Sequence, residues 1–123
     1  MPSPSQTFGH EMEALAARFL QSHGYRIVER GFRRRVGELD LIAQEGETLV
    51  FCEVKARRGG GEGSPGEAIG ARKQTRMLRA VRYYLQDHPE WEDSAMRFDA
   101  VLLQKDGAYW RIELVRDAFR PGW

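Results

Sequence analysis

Between Val36 and Lys55 the chain reads Val-Gly-Glu-Leu-Asp-Leu-Ile-Ala, then Gln-Glu-Gly-Glu, then Thr-Leu-Val-Phe-Cys-Glu-Val-Lys. Two apolar runs flank a short polar turn containing Gly46, the pattern of a β-hairpin. Charged residues interrupt it at Asp40, Glu53 and Lys55. Side chains alternate along a strand, so Glu53 and Lys55 share a face, as do Glu38 and Asp40. A Glu45-Gly46 loop pairs Gln44 with Glu47 and sets Asp40 opposite Phe51, diagonal to Glu53. A Gly46-Glu47 loop, with Gly first as a type II′ turn prefers, sets Asp40 directly opposite Glu53. Either register predicts Asp40 and Glu53 on one face, with Cβ atoms about 5 to 8 Å apart.

Two carboxylates so placed repel one another and lose hydration, a net cost unless something compensates. A divalent cation between them compensates well, because Mg²⁺ takes hard carboxylate oxygens. Lys55, two residues beyond Glu53, then stands beside the metal.

Composition narrows the setting. At 123 residues, with 41% hydrophobic and 30% charged side chains, the chain is one ordinary globular domain. We place it over residues 7–119, behind a loose tail at 1–6 that carries two prolines and two serines. No apolar run approaches the ~20 residues of a membrane span. The first residues lack a basic and an apolar export region, so a cytoplasmic protein is expected. Cys52 is the lone cysteine and reads as a small buried hydrophobe of a reducing compartment.

From Thr7, the expected N-cap, to His23, apolar residues at Met12, Leu15, Ala16, Phe19 and Leu20 recur at helical spacing, and Gly24 supplies a stop. Glu13 borders that stripe and, taken alone, reads as a helix-favouring surface glutamate. Tyr25–Glu29 is a short strand, and Arg30–Arg35 a basic connection. Gly59–Gly66 holds five glycines and predicts a mobile loop, either ordering on a ligand or passively linking. A second helix spans Glu67–Asp87. Arg97–Gln104 and Tyr109–Val115 form another hairpin about Asp106-Gly107. The tryptophans and tyrosines read as core or edge aromatics. The order α-β-β-β-α-β-β, with the second helix as a crossover, makes the Glu53 and Arg97 strands parallel neighbours. The expected fold is a three-layer α/β/α domain with a mixed sheet of about five strands.

The net charge of +1 hides a polarised distribution. Arg26 to Arg35 contains five arginines, including Arg33, Arg34 and Arg35, against Glu29. From Glu53 to Arg82, eight basic residues, among them Arg57 and Arg58, stand against three glutamates. On the second helix Arg72, Arg76 and Arg79 share a face flanked by Lys73, and their mutual repulsion would be relieved by a polyanion. Such clusters are either a phosphate-backbone footprint or a solvated mixed surface.

Gly37-Glu38-Leu39-Asp40, a turn, then Glu53-Val54-Lys55 resembles the metal-binding core of the PD-(D/E)XK nuclease superfamily, whose members share a restriction-endonuclease-like fold. With Gly9 and Glu13, Gly24-Tyr25-Arg26-Ile27, Lys73-Gln74, Arg97-Phe98-Asp99 and Ala118-Phe119, nearly the whole chain is similar to the bacterial YraN-type family of predicted endonucleases. Archaeal Holliday-junction resolvases are relatives with a known activity. Leu39 stands where the superfamily's proline would be, a departure that resolvase-like members tolerate.

The resemblance implies four active-site positions at Glu13, Asp40, Glu53 and Lys55. It sets Gln74 where some relatives carry another polar residue. Asp40 and Glu53, with the Val54 carbonyl, would hold Mg²⁺ or Mn²⁺, which polarises a phosphate and acidifies a water. Lys55 would orient that water or stabilise the pentacoordinate phosphate. The substrate implied is DNA, structured or branched rather than simple duplex, with a homodimer cutting two strands. The alternative is a nucleic-acid-binding domain of the same fold without turnover.

Overall fold

The computed structural model describes residues 1–57 and 68–122. Arg58, the glycine-rich stretch at 59–66 and the expected helix start at Glu67 lie outside the described residues. Helix α1 spans Pro4–Ser22, strand β1 Arg26–Arg34, β2 Gly37–Glu45, β3 Thr48–Arg57, helix α2 Ala71–Asp87, β4 Met96–Asp106 and β5 Tyr109–Phe119. A short 3₁₀ turn, Pro89–Trp91, follows α2.

The five strands form one mixed sheet in the order β1-β2-β3-β4-β5. Neighbours are antiparallel except β3 and β4, which run parallel as the crossover through α2 requires. Helix α1 buries Met12, Ala16 and Leu20 against Leu41, Ala43, Val50 and Val101 on one face. Helix α2 buries Met77, Ala80, Val81 and Tyr84 against Ile42, Leu49, Phe51 and Phe98 on the other. The expected three-layer arrangement is what forms. Among the described residues no helix is long and apolar enough to cross a membrane.

The last two strands run longer than expected, β5 to Phe119 rather than Val115, and three other boundaries differ for a local reason. Helix α1 is capped by Ser3 rather than Thr7, so residues 4–6 are helical and not tail. Ser3 Oγ accepts from the Gln6 amide, the Gln6 side chain accepts from the Ser3 amide, and Pro4 opens the helix where its missing N–H costs nothing. Strand β1 continues through Arg34, so the basic connection is itself sheet. Phe32 is buried there, while Arg30, Arg33 and Arg34 stay exposed. Helix α2 starts only at Ala71, beyond a Gly70 cap that offers no side-chain oxygen.

The hairpin takes the second of the two registers, with Glu45 opposite Thr48. Gly46 has φ +59 and Glu47 does not share its positive φ, the sign pattern of a type II′ turn. The β4–β5 hairpin repeats this with Gly107-Ala108 as its loop, rather than Asp106-Gly107, and φ +61 at Gly107.

Gly37 sets how closely α2 approaches the sheet. A Cβ there would lie 1.9 Å from the Arg76 carbonyl oxygen and 2.8 Å from its carbon, both backbone atoms that no rotamer change can move. Gly37→Ala should therefore cost about 2–3 kcal/mol, near the top of the usual overpacking range. The urea midpoint should fall at an unchanged m-value.

Candidate active site

The ladder between β2 and β3 ends at the Leu41–Cys52 pair, and Asp40 is the next residue of β2. Alternation also slips at this point. Leu39 lies in the α2-side core and Leu41 in the α1-side core, although a regular strand would put them on one face. Across the sheet Gly31 sits between the Arg30–Leu41 and Phe32–Leu39 pairs, at φ +68. Asp40 Oδ2 then accepts the Val54 amide at 2.9 Å, replacing a ladder bond with a side chain.

The Asp40 carboxylate also meets that of Glu53, so the expected carboxylate pair forms. Glu53 is 8% exposed. Burial, followed by contact with Asp40, pushes its carboxyl up to about 9. A buried carboxyl beside a second one favours its protonated form until a cation offsets the charge. Among the described residues no three acidic, histidine or cysteine side chains converge, so this is a two-carboxylate site. Two hard oxygen donors, one backbone carbonyl and room for water fit a Mg²⁺-like ion.

The remaining expected residues divide. Glu13 is buried at 6% exposure rather than on the surface, because Arg33 reaches over it with Nη2 to Oε2 at 2.6 Å. Glu13, Arg33, Asp40 and Val54 line a cleft of about 260 Å³ on the α1 side, walled by Phe8 and Met12. Lys55 is partly exposed on β3 and makes no ion pair among the described residues. Gln74 donates to the Ile69 carbonyl at 2.8 Å, which ties it to the approach to α2 and not to the carboxylates.

Lys73, expected on the phosphate-binding face, instead points into the acidic cluster. Its Nζ lies 2.7 Å from Glu38 Oε1 and 3.4 Å from Glu53 Oε2. Burial opposes the Lys73 charge, but the Glu38 hydrogen bond and the neighbouring acids outweigh it and raise the pKa. Glu38 is held below its ordinary value, chiefly by that same hydrogen bond. Burial favours the protonated form of Glu53, so the shorter contact to Glu38 is the principal ion pair. Lys73 approaches Glu53 as a donor. Strand alternation groups Glu38 with Asp40, but only α2 packed over β2 shows that Glu38 belongs to the cluster.

The basic surface also divides. Arg34 packs over the Phe32 ring at 4.1 Å and reaches Asp87, tying β1 to the end of α2. Arg72, Arg79 and Arg35 are exposed, Arg76 and Arg57 partly so. None of these five makes an ion pair among the described residues.

The model of the Uncharacterised protein family UPF0102 matches residues 12–103, from before Glu13 to the end of the core of β4. A UPF0102 protein of Magnetococcus marinus is 45% identical over 118 residues, covering 96% of this chain and 95% of its own. One from Desulforapulum autotrophicum is 41% identical over 98% of both chains. One from Rhodococcus jostii is 50% identical over 90% of this chain and 94% of its own. The match contains every element of the site, and the chain belongs to the UPF0102 family, the YraN-type family that its motifs resemble.

Proposed function

We propose that the chain is a divalent-cation-dependent phosphodiesterase acting on DNA, structured or branched rather than simple duplex. The observation that carries this reading is the Asp40–Glu53 carboxylate pair, set where the β2–β3 ladder ends beside a cleft. A fold has no structural need for a buried acid in contact with a second one, whereas a cation held between them suits hydrolysis of a phosphodiester.

On this reading Asp40 and Glu53 would hold the cation, with the Val54 carbonyl beside them. When bound, the cation neutralises phosphate charge and acidifies the attacking water. Lys55, unpaired among the described residues, is available to the charge that develops on the phosphate. Glu13 fixes Arg33 on the cleft wall, where its guanidinium can take a phosphate oxygen. Arg72, Arg76 and Arg79 on α2 and Arg57 at the end of β3 hold the backbone without reading sequence. A pair of copies would cut two strands.

Labelled branched, single-stranded and duplex DNA incubated with Mn²⁺ test this. The parent should cut, while Asp40→Asn and Glu53→Gln should lose both cutting and Mn²⁺ binding. Lys55→Ala should bind DNA within a few fold and fail to cut, because its contribution belongs to the reacting state. The Arg72/Arg76/Arg79 triple alanine variant should bind less tightly to every sequence. Its salt slope on duplex DNA should flatten by about 0.9 for each phosphate that is no longer neutralised. DNA binding without cutting under any metal would make the protein a binding module instead.

A further inference from the structure

Lys73 holds its ammonium between two carboxyl groups, those of Glu38 and Glu53, and Glu53 in turn meets Asp40. Arg33 does not change this balance, being taken by Glu13 at 2.6 Å and lying 3.8 Å from Glu38. Lys73 stands in the first turn of α2, one turn before Arg76, whose carbonyl is locked against Gly37. The Lys73 stem leaves the ammonium free to swing between neighbouring acids. It has two acids within reach, Glu38 at 2.7 Å and Glu53 at 3.4 Å. Glu53 is buried, but the Glu38 side chain is one-third exposed and can keep an ion pair in contact with water.

We propose that Lys73 is a tethered counter-ion that bridges Glu38 and Glu53 in the metal-free protein, and that Glu38 alone keeps it when a divalent cation takes the Glu53 oxygen. The inference rests on the cation-binding part of the proposed function. An ammonium that reaches Glu53 from Glu38 competes for the oxygen the cation needs. Glu38 lowers that competition by giving the ammonium somewhere to go. Lys73 and Glu38 are thus positioning residues, acting on the cation site through Glu53.

A double-mutant cycle on Mn²⁺ affinity separates this from an ordinary ion pair. Calorimetric titration would compare the parent, Lys73→Met, Glu38→Gln and the double variant, with melting curves verifying that all four fold. Lys73→Met should tighten Mn²⁺ binding, and Glu38→Gln should weaken it, each by about fivefold or more. In the Lys73→Met background Glu38→Gln should change affinity by less than about twofold, because no ammonium is left to house. If Glu38→Gln weakens binding equally in both backgrounds, its charge acts only through the general field and the two-berth arrangement is wrong. That result leaves the nuclease reading intact. A parent that binds no Mn²⁺ overturns both together.

Discussion

Asp99→Ala will remove about 3–5 kcal/mol of stability, the usual cost of taking one partner from a buried ion pair. In a domain of this size that is a drop in melting temperature of roughly 10–20 °C. Asp99 is fully buried on β4 and accepts four hydrogen bonds. Oδ1 takes Arg97 Nε at 2.8 Å and the Asp117 amide at 2.9 Å; Oδ2 takes Arg97 Nη2 at 2.8 Å and the Tyr25 hydroxyl at 3.0 Å. Arg97 reaches on to Glu45 at the end of β2, where Arg116 of β5 also binds. One carboxylate thus ties the chain after α1, the tip of the first hairpin and both strands of the second. It also supports Asp117, the one non-glycine residue at positive φ among the described residues.

Asp99→Asn keeps the shape and one acceptor, so it should cost clearly less than alanine. Equal losses would mean that the cavity matters and the charge does not. Asp99 pairs with Cys52, one residue before Glu53, yet its four hydrogen bonds come from Arg97, Tyr25 and Asp117 and none from Asp40 or Glu53, so either variant that still folds should keep the parent's Mn²⁺ affinity.

How far the sequence spoke depended on whether a feature was periodic or positional. The two hairpins, both helices and the parallel β3–β4 pair follow from period-2 and period-3.6 patterns, which report the burial that drives those elements. The contact between Asp40 and Glu53 was legible too, although alternation alone does not produce it. The strand slips at Asp40, opposite a glycine at φ +68, and a side chain fills the gap where the ladder ends. No period announces such a slip.

Lys73 was the least legible residue. On a helical wheel it flanks the arginine face, and nothing local distinguishes it from Arg72 or Arg76. Its role depends on how closely α2 sits on β2, which Gly37 decides through a contact 39 residues away in sequence. Arg97-Phe98-Asp99 marked the family without showing why. The structure answers that with a lock of the fold rather than a part of the chemistry.

Glu53→Gln should remove most of this protein's stability response to pH between 5 and 9. In the metal-free parent the Glu53 carboxyl is pushed from an ordinary 4.5 up to about 9, by burial first and Asp40 second. Between those values the folded chain holds a proton that the unfolded chain has released. Stability then falls as pH rises, because the native state binds more protons than the unfolded one. The loss across pH 5 to 9 should be on the order of 3–5 kcal/mol. Glutamine keeps the shape, carries no charge to bury, and can still accept from Lys73, so this variant should be nearly flat over the same range. The two proteins should match near pH 5 and diverge in favour of the variant at pH 9. Asp40→Asn should recover only part of the difference, since burial of Glu53 remains. Urea unfolding in EDTA at pH 5, 7 and 9 measures all three. Saturating Mn²⁺ should flatten the parent as well, by stabilising the ionised pair. Parallel slopes for parent and Glu53→Gln would mean that Glu53 is already ionised in the folded protein, with Lys73 as its full partner.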